Sequence, residues 1–201
     1  MTSFFRLFTL IALTLFVSCS KGDSPIIDTG ASSTNTAPKG FAKLHIFTPN
    51  AHGANPNGEL ISVGGVLYGT TNGGGAGASG TIFKINPDGS DFTLLKEFAG
   101  TDGVSPYGAL ISVGGVIYGT TAGGGAGGSG TIFKINPDGS DFTLLKEFAG
   151  TDGANPYGAM ISVDGVLYGT TNSGGAGGYG TIFRINPDGR GFTLLKEFAE
   201  T

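Results

Sequence analysis

The side chains able to do chemistry are few, and most of them recur at a fixed interval. Glu97 and Asp102 return as Glu147 and Asp152. Such acids serve glycoside hydrolysis when two of them flank a sugar about 5–10 Å apart, a separation that spacing along the chain does not dictate. Asp88 with Asp91, repeated as Asp138 with Asp141, is spaced like the first oxygen ligands of some calcium loops, but the third copy reads Arg190 and Gly191 after Asp188. Calcium takes six to eight oxygens, so Asx hydrogen bonding within a turn is the preferred role of these aspartates. His45 and His52 are the only histidines, both in a divergent front segment, which argues against a repeated catalytic base or a histidine metal site. "GAGASG" at Gly75 to Gly80 matches GxGxxG, yet it leads into an apolar run of strand type instead of opening a helix whose N-terminus would receive a pyrophosphate. No catalytic residue, metal ligand or cofactor is therefore assigned.

Three tyrosines remain as candidate binding contacts. Tyr107 and Tyr157 precede glycine in long connections, and Tyr179 replaces a serine inside a glycine tract. An aromatic in a wide loop suits contact with carbohydrate or peptide, with packing against the next unit as the competing use. Display of the same surface two or three times favours many weak contacts over one specialised pocket.

The elements that position these residues are set by an internal duplication. Residues 91–140 and 141–190 form two copies of a 50-residue unit, identical at 40 positions, and residues 53–90 match the second copy at 31 of 38. "FAKLHIF" at Phe41 to Phe47 resembles "FTLLKEF" at Phe92 to Phe98, and the last copy of that element spans 192–199. The reading is a β-repeat domain over 40–201 with an extra strand at 41–47, three units, and a terminal strand.

Each unit has four short apolar runs, none long enough for helical periodicity, so all read as strands. "LISV" joins "VLY" through Gly64 and Gly65, where a two-residue hairpin needs positive φ at both positions; Asp164 and Gly165 keep that chemistry in the third copy. "TIFKI" joins "FTLLKEFA" through "NPDGSD", with Pro87 fixing φ in a type I turn and Gly89 suited to the left-handed position after it. Period-two alternation puts Phe92, Leu94 and Phe98 on one face of the fourth strand and Thr93, Leu95 and Glu97 on the other. Tyr68, Phe83 and Phe98, with their counterparts, are the expected core.

Four antiparallel strands tiled in tandem match the rhythm of a kelch-like blade. The motif "LYGTTNGGGAGASGTIFKINPDG" and its sisters "IYGTTAGGGAGGSGTIFKINPDG" and "LYGTTNSGGAGGYGTIFRINPDG" resemble the Gloeo/Verruco (GloVer) tandem-repeat family over about 41–201. That resemblance implies secreted or envelope-anchored bacterial proteins, a β-propeller-like fold and no established reaction. The expected fold is all-β, with three propeller-like blades that form an open arc or close by oligomerisation, a homodimer of six blades being the simplest closure.

The chain begins with Arg6, an apolar run from Leu7 to Val17 too short to span a membrane, and Cys19, its only cysteine. Residues 1–19 resemble a bacterial lipoprotein signal with Cys19 as the lipidation site, an ordinary cleaved export signal being the alternative. Residues 20–39 carry small polar residues and two prolines and read as a flexible linker. The formal charge of −4 arises from 11 basic and 15 acidic residues among 201, which leaves no basic footprint for nucleic acid. The expectation is a non-catalytic binding or structural module, lipid-anchored in the bacterial envelope or secreted, with the membrane, and a glycan or envelope protein, as partners. The alternative is an extracellular carbohydrate-active enzyme using loop carboxylates.

Overall fold

A computed structural model describes residues 42–200. Cys19, the signal segment and the linker lie outside the described residues. Residues 42–201 form one compact unit, and it holds every element described below.

Each sheet takes its last strand from the start of the following sequence copy, so the structural units are offset from the repeat. The first structural unit contains β1 (Ala54–Pro56), β2 (Ile61–Val63), β3 (Val66–Gly73), β4 (Thr81–Ile85) and β5 (Thr93–Glu97). β3 pairs antiparallel with β4, and β4 with β5, while β2 and β1 share the other edge of β3. The second unit repeats the sheet as β6 (Ile111–Val113), β7 (Val116–Thr121), β8 (Thr131–Ile135) and β9 (Thr143–Glu147). The third does so as β10 (Ile161–Val163), β11 (Val166–Thr171), β12 (Thr181–Ile185) and β13 (Thr193–Glu197). In these two units the counterpart of β1 shrinks to single bridges, Val104 to Gly123 and Ala154 to Ser173.

The short hairpins form as their residues dictate. Gly64 and Gly65 both have positive φ, and so do Asp164 and Gly165, the backbone whose twist matches that of the flanking strands. Gly69 has a different reason to lack a side chain: a Cβ there would stand 2.7 Å from the Phe83 ring, which crosses β3 at this point. In the longer hairpin Gly89 is left-handed, and Asp91 and Asp141 are as well. The third unit puts Gly191 at that last position, so its loss of the aspartate relieves the backbone instead of breaking the turn.

The three sheets stack in series. The back of sheet 1 (Tyr68, Ile82, Phe98) packs on the front of sheet 2 (Ile117, Phe133, Ile135), with Leu110 between them. The back of sheet 2 (Tyr118, Ile132, Phe148) meets the front of sheet 3 (Leu167, Phe183, Ile185), with Met160 in the equivalent place. Hydrogen bonds cross both junctions: Thr70 donates to the Pro106 carbonyl and Thr120 to the Pro156 carbonyl, each at 3.2 Å. Within each sheet a buried threonine pair joins the central strands, Thr71 to Thr81 and Thr121 to Thr131 at 2.8 Å and Thr171 to Thr181 at 2.9 Å. The result is an all-β series of antiparallel sheets related to propeller blades, each with a four-stranded core to which the first adds the short β1. It is open: the back of sheet 3 leaves Ile161, Val163, Leu195 and Phe198 exposed.

Two expectations need correction. Residues 42–47 are not a strand; they run as irregular chain into a four-residue helix, Pro49–His52. The segment still lies where an outer strand of a preceding unit would. A Cβ on Gly89 would meet the Leu44 carbonyl oxygen at 2.7 Å, as one on Gly139 or Gly189 would meet those of Leu95 and Leu145 at 3.4 and 3.2 Å. Among the described residues no strand of a preceding unit lies beside it, so the segment has no ladder to join there. The other correction concerns the fourth strand. The β4–β5 register passes from Ile82 opposite Lys96 to Phe83 opposite Leu94. The bulged residue, Leu95, turns everything after it to the opposite face, so Phe98 sides with Leu95 and faces Phe142 and Leu144 of the next unit.

Candidate functional site

Loops 57–59, 107–109 and 157–159 hold equivalent places in the three units. They lie backbone against backbone: a Cβ on Gly58 would be 3.0 Å from the Gly108 carbonyl oxygen, and one on Gly108 would be 2.7 Å from that of Gly158. Gly58 and Gly108, which follow Asn57 and Tyr107, are what let the loops approach so closely. Their approach brings Tyr107 and Tyr157 edge to face, ring centroids 5.3 Å apart, beside a hollow of about 250 Å³ lined also by Asn57, Glu59, Ala109 and Ala159. Tyr107 is half-buried, whereas Tyr157 is 46% exposed. An exposed ring face next to an amide and a carboxylate can stack on an apolar patch of a polyol while binding its hydroxyl groups.

Asn57 and Glu59 were not singled out from the sequence. The available signal was the period itself, because residues spaced by one unit become neighbours, and Asn57 and Glu59 are the first unit's counterparts of Tyr107 and Ala109. Tyr179 is not part of this hollow. It is exposed, and its hydroxyl donates to Glu200 at 3.2 Å.

The recurring acids are engaged elsewhere. Glu97, Glu147 and Glu197 accept the backbone N–H of Ala76, Ala126 and Ala176 at 2.8, 2.7 and 2.9 Å, which fastens each glycine tract to the last strand of its own sheet. Asp102 takes the Lys96 ammonium and the N–H of Ala99, and Asp152 takes Lys146 and the N–H of Ala149. Asp88 accepts the N–H and hydroxyl of Ser90, and Asp138 those of Ser140. These bonds hold both carboxyls below the usual carboxylate range. Asn86 donates to Asp91 and Asn136 to Asp141, both at 2.8 Å, so both aspartates of the motif serve their turn. Among the described residues no group of three or more histidine, cysteine or acidic side chains is arranged to hold a metal ion.

His45 and His52 meet at 3.1 Å, Nε2 to Nδ1, with the His45 ring stacked on Phe92 at 3.8 Å. They occupy the places of Lys96 and Asp102, whose ammonium lies 4.7 Å from the Phe142 ring centre. Burial, and secondarily the neighbouring His52, hold His45 below its ordinary value.

The Gloeobacter/Verrucomicrobia repeat pattern matches residues 23–201. The chain belongs to that repeat family. Curated protein sequences give no match to it. Among solved structures, this family member resembles a chain of a nidogen/laminin complex at 22% identity and a TM-score of 0.52, over 72% of this chain and 49% of that one. It also resembles a gluconolactonase from Xanthomonas campestris at 18% identity and a TM-score of 0.48, over 75% and 50%. The repeat chain thus spans about half the length of each, and at these identities the likeness concerns the fold alone.

Proposed function

We propose that this repeat protein is an envelope-anchored module that binds carbohydrate in the hollow beside Tyr107 and Tyr157. The observation that carries the reading is the convergence of two tyrosines from successive units on a hollow edged by Asn57 and Glu59. A concave site with an aromatic wall and a few polar groups is the usual form of a small-ligand site. The anchor would be a lipid on Cys19, which holds the module at a membrane while residues 20–39 give it reach. Fatty-acid labelling of the wild type and not of Cys19→Ala is the expected result for the anchor.

Retention on immobilised envelope polysaccharide tests the hollow. Tyr157→Ala should weaken retention at least about tenfold, in keeping with the loss of one stacking aromatic, and leave the far-UV spectrum unchanged because the ring is exposed. Unchanged retention would remove the reading. A catalytic reading has one observation in its favour, the carboxylate of Glu59 in the same hollow. Glu59→Gln separates the two, since a hydrolase would lose release of reducing ends and keep binding, whereas a binding module releases none in either form.

A further inference from the structure

The back of sheet 3 is an interface with one side missing, and the molecule displays the missing side twice. On sheets 1 and 2 the equivalent surface is covered by the front of the following unit. There Leu110, 1% exposed, sits among Tyr68 and Ile82, and Met160 sits among Tyr118 and Ile132. On sheet 3 the same place is a hollow of about 270 Å³ lined by Ala159, Ile161, Tyr168, Gly169, Thr170 and Ile182. The side chain that fills it elsewhere has one further counterpart, Leu60, which is 50% exposed on the front of sheet 1.

We propose that a second copy of this chain docks the front of its first unit on the back of sheet 3, seating its Leu60 in that hollow. The contact is head to tail, joining unlike surfaces, and repeats a third time the junction already made between units 1 and 2 and between units 2 and 3. Docking requires a displacement. In the docked pair Leu195 of one copy claims the ground over Gly89 of the other, as Leu95 claims Gly139 and Leu145 claims Gly189. Leu44 stands there in the single chain, and Phe47 packs on Phe83 and Phe92 nearby. Residues 42–47 therefore act as a removable stand-in for an outer strand, covering the outer part of the front of sheet 1 until a true one arrives.

Sedimentation velocity on residues 42–201, the compact unit, tests this. The wild type should associate with rising concentration. Leu60→Asp and Ile161→Asp, at exposed positions that leave the single chain folded, should each raise the dissociation constant at least about 100-fold, since either buries a carboxylate in an apolar contact. An equimolar mixture of the two variants should associate again at high concentration, because one supplies an intact back and the other an intact front. Phe47→Ala, which loosens the stand-in, should tighten wild-type association. A wild type that stays monomeric, a Leu60→Asp variant that associates like the wild type, or a mixture that stays monomeric would each overturn the docking. Unchanged or weaker association of Phe47→Ala would overturn the displacement.

Discussion

Phe148 and Phe198 are the same residue of successive units and live in different surroundings. Phe148 is 1% exposed, wedged against Phe183 and Phe192, while Phe198 is 44% exposed on the bare back of sheet 3. Lys146 lies 4.8 Å from the Phe192 ring and is paired with Asp152. Lys196 shares its strand position but has neither contact among the described residues. Identical local sequence thus yields a core residue or a surface residue according to whether another unit follows. Burial here is a property of the junction more than of the unit, as in repeat arrays where neighbours supply one another's core.

The comparison breaks most visibly at the phenylalanines. Phe148→Ala should cost about 3–5 kcal/mol, the usual range for emptying a packed phenylalanine site, and Phe198→Ala should cost less than about 1 kcal/mol in dilute solution. Chemical denaturation of the two variants measures both, and equal losses would mean that the back of sheet 3 is covered. Next in size is the cation. Lys146→Met should cost about 1 kcal/mol, since the ion pair is only partly shielded and the methylene stem still packs, whereas Lys196→Met should be neutral by the same measurement.

The smallest effect sharpens the comparison at the other end of the chain. His45 is held below its ordinary value, so the unfolded chain takes up the proton first as pH falls through about 6.5. The stabilisation from neutral His45 is then fully present above that pH and is lost as pH falls toward the folded value. Protection of the amides of residues 42–52, taken relative to the intrinsic exchange rate at each pH, should fall between pH 7 and 5, while protection around the Lys96–Asp102 and Lys146–Asp152 junctions changes less. The double substitution His45→Lys with His52→Asp should abolish the pH dependence by copying those junctions.

Much of this architecture was legible because turn chemistry is local. Gly64 with Gly65, Asp164 with Gly165 and Pro87 with Gly89 announce their hairpins, and the apolar runs between them announce the sheet. Period-two alternation puts Phe98 on the wrong face because a bulge leaves no trace in it; the bulge shows only in the register, where Lys96 and Leu94 stand opposite the consecutive residues Ile82 and Phe83. Residues 42–47 read as a strand because they copy a strand's side chains, yet pairing depends on neighbouring strands, and none lies beside this stretch among the described residues. Tyr107 and Tyr157 were legible as candidates, but their meeting is a product of stacking and could be anticipated only from the period. Tyr179, chosen by the same reasoning about loops, is not in the hollow they share.

The cation junction also bears on how the chain comes off the ribosome. Lys96 ends the first unit, Asp102 opens the connection to the second, and the ring beneath the ammonium, Phe142, is synthesised nearly a whole 50-residue unit later. The ring that covers Lys96, like the one that covers Lys146, thus does not exist until almost the entire following unit has been translated, so during synthesis a junction between two sheets can close only about one unit in arrears.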